Sequence, residues 1–304
     1  MEVVLIVNPY ASAVSEARVR AVQTELERVA QVRTLLTERH GHGTELAAAG
    51  GEALVVFSGD GGFNEVLNGA PPGVPLGFLP GGGANVLSRA LGLPRGPAAA
   101  ARQVAGALES GRTRTISVGR VNGRRFGFSA GIGLDAELVR RVDALGRRDD
   151  GKRPGDAAFV ASAVKLVAGQ RFRFDPALEV QGRGRAAFAL VANVDPYTYA
   201  GSIPIRVAPE ARFELGLDLV APKRVRASTL PRLLRYILTG RGQLAAADVL
   251  SGHDLDRIVV RCDEPLPLQA DGEDLGDVTE ALFEAERDAV SVLVAANQEL
   301  PSPP

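Results

Sequence analysis

Ser58-Gly-Asp-Gly-Gly-Phe-Asn-Glu-Val66 follows directly on Ala53-Leu-Val-Val-Phe57, a continuous apolar run. The run predicts a buried strand, and Phe63–Leu67 predicts the opening of a helix. Because glycine has no Cβ and tolerates positive φ, successive N–H groups of such a loop can turn towards one anion. The N-terminus of the following helix adds free N–H donors and a favourable dipole. The stretch therefore predicts a site for nucleotide phosphates, where the carboxylate of Asp60 calls for a metal ion or a proton transfer.

The first 115 residues alternate apolar runs of strand length with segments whose apolar residues recur at helical spacing. The runs are Val3–Val7, Val32–Leu36, Ala53–Phe57 and Leu76–Leu79. Alternation of this kind predicts a parallel sheet that is covered by helices on both faces. Ligands of such sheets bind outside the carboxyl ends of the strands. One crevice is therefore expected to collect the segments that follow three of the strands, Asn8-Pro9, Ser58–Gly62 and Pro80–Gly83.

From about Thr113 the pattern changes to many short candidate strands that are separated by turn residues, among them Arg125–Ser129, Arg257–Arg261 and Pro267–Ala270. Helical spacing recurs in this part at Leu134–Leu145, Ala157–Val167 and Thr229–Leu238. Many short strands predict an antiparallel β-sandwich or barrel. We therefore expect an α/β nucleotide-binding domain over residues 1–115 and an all-β sandwich domain for the substrate over residues 116–287. The apolar run Val290–Ala295 suits a terminal strand, which would add residues 288–300 to the first domain.

The chain has 304 residues, which is long enough for two domains. Its 35 basic and 36 acidic side chains nearly cancel, so no overall field favours nucleic acid as a partner. The single Cys262 excludes an intramolecular disulfide, and three scattered histidines give no pattern for a zinc cluster. No apolar run reaches the ~18 residues of a membrane-spanning helix. We expect a cytoplasmic protein without a transmembrane segment, which would meet a membrane at its surface.

Four sequence blocks resemble, in their order along the chain, the signature blocks of the diacylglycerol kinase family, which also contains sphingosine and ceramide kinases and soluble bacterial lipid kinases. They are Asn8-Pro-Tyr-Ala-Ser12, Ser58–Val66, Pro80-Gly-Gly-Gly-Ala-Asn85 and Asp271-Gly-Glu273. Two further blocks, Gly127–Asp135 and Tyr199–Ala211, are similar to blocks of the family's second domain. The resemblance implies a nucleotide-binding α/β domain and a β-sandwich domain that enclose a cleft. It also implies ATP as phosphoryl donor, Mg²⁺ as cofactor and a lipid hydroxyl as acceptor.

The resemblance further implies which residues bind the nucleotide. They are Asn8, Pro9, Tyr10, Ala11 and Ser12 in the first loop, Thr37 after the second strand, and Ser58, Gly59, Asp60, Gly61, Gly62, Phe63 and Asn64 in the phosphate loop. Gly83 also matches a nucleotide-contacting position, where the family usually has threonine or serine. Gly62 replaces a common threonine. The predicted nucleotide site is therefore rich in glycine and poor in hydroxyl groups.

The catalytic residues implied by the resemblance are Glu273, Asp60 and Asp271. Glu273 matches the family's general base, which accepts the proton of the lipid hydroxyl while the γ-phosphate is held in line. Asp60 would position magnesium or assist the base, and Asp271 would orient the same site. The family has a second magnesium site in its second domain, where Leu215 stands at the usual aspartate. Glu214 is the substitute metal ligand at that place.

Three functions follow as hypotheses. The leading one is an ATP-dependent lipid kinase of phospholipid biosynthesis, which phosphorylates diacylglycerol or a related lipid alcohol. Such a protein would bind the membrane peripherally, and an edge strand could pair two copies as a homodimer. The second is an NAD kinase, because those enzymes share the Gly-Asp-Gly loop and the pair of domains. Asn8-Pro9 and the late Asp271-Gly-Glu273 count against it. The third is a non-catalytic lipid- or nucleotide-binding protein, since hydroxyl groups are missing at Gly62 and Gly83.

Overall fold

The computed structural model describes residues 1–146 and 173–294, together with residues 161, 162, 165, 166, 168, 169 and 171. The chain divides into two compact units, Met1–Ile116 with the residues from Asp288 onwards, and Ser117–Arg287. Within the described residues, no helix combines the length and the apolar character that crossing a membrane requires. The helix predicted at Ala157–Val167 falls on a stretch of which only residues 161, 162, 165 and 166 are described.

The first unit is an α/β domain. Its strands are β1 Glu2–Val7, β2 Gln31–Leu36, β3 Ala53–Ser58 and β4 Leu76–Pro80, and its helices are α1 Glu16–Leu26, α2 His42–Ala48, α3 Asp60–Gly69, α4 Val86–Ala90 and α5 Pro97–Glu109. The four strands are parallel, in the order β4-β3-β1-β2. Val292, near the end of the described chain, pairs in parallel with Leu76 on the other side of β4.

Local sequence explains these elements. Every residue of β3 is buried, as expected for a continuous apolar strand that is covered on both faces. Helix α1 begins after Ser15, whose hydroxyl accepts a hydrogen bond of 3.4 Å from the N–H of Arg18. Helix α5 begins at Pro97, a residue that suits the first turn because its missing N–H would have no helical partner there.

The second unit is built mainly from antiparallel strands. They are β5 Arg114–Val121, β6 Arg124–Phe126, β7 Ser129–Ile132, β8 Leu178–Val180, β9 Gly184–Ala186, β10 Ala189–Ala192, β11 Thr198–Ala200, β12 Ile203–Ile205, β13 Leu217–Pro222, β14 Val249–Leu255, β15 Arg257–Ala270 and β16 Glu273–Val292. Two helices of the described residues accompany them, α6 Leu134–Ala144 and α7 Leu230–Thr239. Strands β11 and β12 form a separate hairpin.

Strand β15 is shared by two groups of strands. Its first half pairs with β8, which continues into β9, and its second half pairs with β7, which continues into β10, β13 and β14. Two register shifts lie between the halves, where a strand can bend. Both groups of strands contribute to one buried core, which includes Phe126, Ile132, Leu219, Val260 and Phe283. The predicted fold class, an α/β domain followed by a β-sandwich, is confirmed.

Several predicted strands were wrong in extent. Arg257–Arg261 and Pro267–Ala270 are parts of the single strand β15, and Arg125–Ser129 is divided between β6 and β7. Strand β14 was missed, and only the end of β16 was predicted, as part of the run Val290–Ala295. Strand β16 carries seven acidic residues and exposes much of one face, so its apolar alternation is weak, although Ala281 and Phe283 are buried in the core.

Candidate functional site

The predicted nucleotide residues of the first unit lie at one edge of its sheet, where the parallel strands end. The N–H of Asn8 donates to the carbonyl of Phe57 at 3.1 Å, and the N–H of Thr37 donates to the carbonyl of Val7 at 2.9 Å. The N–H of Gly81 donates to the carbonyl of Ser58 at 2.7 Å. The structure thus brings together the ends of β1, β2, β3 and β4, as the alternating pattern predicts.

The loop Asn8–Ser12 is held by its first residue. The side-chain oxygen of Asn8 accepts a hydrogen bond from the N–H of Tyr10 at 3.0 Å, and the carbonyl of Asn8 accepts one from Ala11 at 3.1 Å. Such turns form readily because asparagine can bond to its own backbone two residues on. The next contact ties this loop to the loop after β4, since the N–H of Ala13 donates to the carbonyl of Gly81 at 2.8 Å.

The loops after β3 and β4 touch each other through glycine backbone. A Cβ on Gly82 would lie 2.7 Å from the Cα of Gly59, closer than side-chain carbons approach. Asn85 fixes the second loop by a pair of hydrogen bonds with Gly82, in which its amide accepts and donates at 2.7 Å each. Glycine is therefore required here for close approach of two backbones.

Helix α3 points its N-terminus into this edge. Its N-cap is Gly59, which has no side chain to occupy the free N–H groups of the first turn. Within the described residues, no acceptor is recorded for the N–H groups of Gly61 and Gly62. The carboxylate of Asp60 accepts a hydrogen bond from the N–H of Leu87 at 3.3 Å, so it links the start of α3 to the first turn of α4. The arrangement fits a phosphate group and supplies one carboxylate beside it.

The side chain of Ser58 leaves no space for a side chain at residue 62, which is glycine. The side-chain oxygen of Ser58 is buried without a hydrogen-bond partner, and the residue is 1% exposed. A Cβ on Gly62 would lie 2.1 Å from this oxygen and 2.6 Å from the Cβ of Ser58. The Ser58 side chain therefore occupies the space that a larger residue at position 62 would need. Gly83 differs, because a Cβ there would meet nothing within 4 Å.

The Asp-Gly-Glu block forms a two-residue hairpin turn between β15 and β16. Ala270 pairs with Glu273, and both turn residues have positive φ, +50° at Asp271 and +77° at Gly272. The carboxylate of Asp271 is buried and accepts hydrogen bonds from three consecutive N–H groups, those of Gly127, Phe128 and Ser129, at 2.6, 3.0 and 3.2 Å. These contacts suit Asp271 to orienting the turn, which is the role proposed for it.

Glu273 is the buried first residue of β16. Its Oε2 accepts a hydrogen bond from Nη2 of Arg124 at 2.6 Å, and the two side chains form an ion pair. A charge-assisted hydrogen bond of this length fixes the orientation of the carboxylate. Sequence reasoning missed Arg124, since it lies in β6, 149 residues before Glu273, and belongs to no recognised block.

A buried network supports the same turn from the other side. The side-chain oxygen of Gln269 accepts a hydrogen bond from the N–H of Gly272 at 2.9 Å, while its Nε2 donates to Asp135 at 2.5 Å. The hydroxyl of Tyr197 donates to the same carboxylate at 2.6 Å. Burial raises the pKa of Asp135, against the effect of these two hydrogen bonds. Sequence reasoning named the block that ends at Asp135 but missed the roles of Gln269 and Tyr197.

Glu214, the predicted ligand of a second-domain metal, lies exposed in the turn before β13. Within the described residues, it belongs to no group of three or more metal-ligand side chains whose atoms lie within 4.8 Å of one another. Four residues on, buried Asp218 accepts a hydrogen bond from the N–H of Asp254 at 3.0 Å and lies 2.9 Å from Nδ1 of His253. Burial raises the pKa of Asp218. The metal role of Glu214 stays a prediction.

Comparisons with known proteins match both units. Residues 2–121 match the family model of the diacylglycerol kinase catalytic domain, and residues 129–294 match that of the YegS C-terminal NAD kinase beta sandwich-like domain. A diacylglycerol kinase of Bacillus subtilis is 27% identical over 73% of this chain and 71% of its own length.

Two solved structures share the fold. One is a diacylglycerol kinase from Bacillus anthracis str. Sterne, with a TM-score of 0.69, 21% identity and coverage of 97% of each chain. The other is an NAD kinase from Archaeoglobus fulgidus in complex with ATP, with a TM-score of 0.54, 14% identity and coverage of 97% of this chain and 94% of that one. At these identities the likeness concerns the fold alone.

Proposed function

We propose that this chain is an ATP-dependent lipid kinase. The premise is that the chain belongs to the family in which a diacylglycerol kinase catalytic domain precedes a YegS-type β-sandwich domain. The acceptor in this proposal is the hydroxyl of diacylglycerol or a related lipid alcohol. The observation that carries the proposal is Glu273, which is buried, pairs with Arg124 and directly follows a turn that is fixed by hydrogen bonds. A buried carboxylate held in one orientation suits a general base.

In the proposed reaction, the first unit binds the phosphoryl donor. The N–H groups of Gly61 and Gly62 and the N-terminus of α3 bind phosphate oxygens, and close packing of Gly59 on Gly82 keeps this surface free of side chains. Asp60 is the residue of this loop that would hold Mg²⁺, which prefers carboxylate oxygens. Bound magnesium would neutralise charge on the phosphate oxygens.

The second unit supplies the proton acceptor. As the acceptor oxygen forms its bond to the γ-phosphorus, its proton passes to Glu273, and ADP leaves with the electrons of the broken P–O bond. Arg124 orients the carboxylate, while Asp271 and Gln269 hold the turn. Most of the remaining acceleration would come from stabilisation of the transferred phosphoryl group by N–H donors and magnesium.

The decisive experiment is phosphate transfer from radiolabelled ATP, in the presence of magnesium, to diacylglycerol, sphingosine and ceramide in mixed micelles. We expect label in the lipid fraction, with diacylglycerol the preferred acceptor. The fold likeness to an NAD kinase makes NAD the matched alternative acceptor. Formation of NADP without lipid label would replace the proposal by the second candidate. Calorimetric binding of ATP with no turnover of any acceptor would favour a non-catalytic protein.

Replacement Gly83→Ser is expected to strengthen ATP binding. The added Cβ meets no atom within 4 Å, and the serine hydroxyl would stand where the family usually carries one. One net hydrogen bond contributes about 1 kcal/mol, which corresponds to roughly fivefold in Kd. Titration calorimetry with ATP and magnesium measures the change. The control is Gly83→Ala, which adds the carbon without the hydroxyl, and equal affinity of the two variants would contradict the prediction.

A further inference from the structure

One segment of the second unit is basic although the whole chain is nearly neutral. Residues 223–247 contain one lysine and five arginines and no acidic residue, whereas the whole chain has a formal net charge of −1. The segment leads out of β13, forms α7 and ends before β14. Such a local excess of positive charge points to an anionic partner.

Helix α7 buries one face and leaves apolar side chains on another. Leu230, Leu233 and Ile237 pack against the core, and Tyr236 is buried. Leu234 and Leu238, one turn apart, are 53% and 52% exposed. These two leucines lie on one stripe of the helix because residues four apart share a face. The hairpin strand β12, which contacts α7, adds a third exposed apolar side chain, Ile203.

Near the exposed leucines, three arginines have no acidic partner among the residues that the structure describes. Many arginines elsewhere pair with carboxylates, as Arg140 does with Asp274 and Asp277. Within this segment Arg226 and Arg232 pair with Asp175 and Asp248. By contrast, no ion pair of Arg224, Arg235 or Arg241 is recorded with any of the residues that the structure describes. Arg235 and Arg241, with Thr239, line a shallow cavity of about 430 Å³ beside the helix.

We infer that α7 and its flanking arginines dock on an anionic phospholipid bilayer. An interfacial helix inserts its apolar side chains at the boundary of headgroups and acyl chains while its basic side chains meet the headgroup charges. Leu234 and Leu238 supply the insertion, and Arg224, Arg235 and Arg241 supply the complementary charge. The choice of a bilayer as the partner rests on the proposed function, because a lipid kinase must reach an acceptor that resides in a membrane.

Sedimentation with lipid vesicles, without ATP, tests this surface. We expect the full chain to bind vesicles of phosphatidylcholine and phosphatidylglycerol in equal parts, to bind pure phosphatidylcholine weakly, and to lose binding as salt is raised. The double variant Arg235→Glu/Arg241→Glu is expected to bind the anionic vesicles less tightly by on the order of tenfold or more. Leu234→Gln/Leu238→Gln is expected to weaken binding at every salt concentration, since it removes the apolar contact.

The matched control is Arg20→Glu/Arg28→Glu, which reverses one exposed arginine on α1 and one just after it and is expected to bind vesicles as the unmodified chain does. Equal binding to neutral and anionic vesicles, or unchanged binding of both α7 variants, would overturn the inference. The inference would also be overturned if the unmodified chain is a dimer and an α7 variant is a monomer in light scattering, while vesicle binding is unchanged. This face of α7 would then join two copies of the chain.

Phosphorylation of a short-chain diacylglycerol in detergent is measured separately. Vesicle binding without that activity would refute the kinase proposal and leave the docking surface standing.

Discussion

Glu273→Gln should lower the rate of phosphate transfer to a lipid acceptor by about two to four orders of magnitude, which is the usual contribution of a general base. Glutamine has the same size and keeps an oxygen that can accept the hydrogen bond from Arg124, but an amide cannot take up the acceptor's proton. ATP binding should change little, because Glu273 belongs to the turn between β15 and β16 and not to the glycine loops. Rapid-quench measurement of a single turnover, with calorimetric titration of ATP, separates the two quantities.

Asp274→Asn is the matched control for this variant. It makes the same change from acid to amide one residue later, at a side chain that pairs with Arg140 on the other side of the strand. The Arg140 guanidinium holds the pKa of Asp274 below its usual range, so the control also removes an ion pair. Transfer by Asp274→Asn should remain close to that of the unmodified chain. Equal rates for the two variants would show that Glu273 is not the base.

Gly62→Thr should destabilise the first unit and impair ATP binding, although it introduces the residue that the family prefers. The new Cβ would lie 2.1 Å from the buried oxygen of Ser58, and relief of such overpacking typically costs about 1–3 kcal/mol. Ser58→Gly removes the obstacle. The double variant Ser58→Gly/Gly62→Thr should therefore recover most of the free energy of unfolding and of the ATP affinity that Gly62→Thr loses.

Urea denaturation and ATP titration of the two single variants and the double variant give the coupling energy between the positions. Residues in direct contact commonly couple by 0.5–3 kcal/mol, and the expected sign here is a double variant more stable than the sum of the single effects. Ser58→Gly alone should be slightly destabilised, because glycine weakens a strand. If the double variant is as unstable as Gly62→Thr, then Ser58 does not explain the glycine.

The sequence predicts an element of the fold correctly where its local residue pattern matches its burial in the folded chain. The fully buried β3 has a continuous apolar run, and the glycines after it mark a place where chains approach closely. The middle of strand β16 was missed because its acidic residues interrupt the apolar alternation, and the buried apolar residues Ala281 and Phe283 are too few to establish a period there.

The candidate site was accessible only as far as its residues lie in recognisable blocks. Arg124 contacts Glu273 across 149 residues of chain, and Gln269 contacts Asp135 across 134. Neither pair leaves a signal in one sequence, since only the folded sandwich brings β6 to β16 and β15 to α6. The close approach of the Ser58 side chain to Gly62 is also hidden, because it depends on the direction of that side chain at the end of β3.

The contacts that fix the turn of Asp271 and Gly272 also bear on the chemical ageing of the protein. Aspartate followed by glycine is prone to isoaspartate formation, in which the glycine nitrogen attacks the aspartate side-chain carbonyl. Here three backbone N–H groups hold that carboxylate, and the N–H of Gly272 is engaged by Gln269. Neither reacting group is available to the other. The same framework that orients Glu273 therefore preserves the Asp271–Gly272 peptide bond over the lifetime of the folded chain.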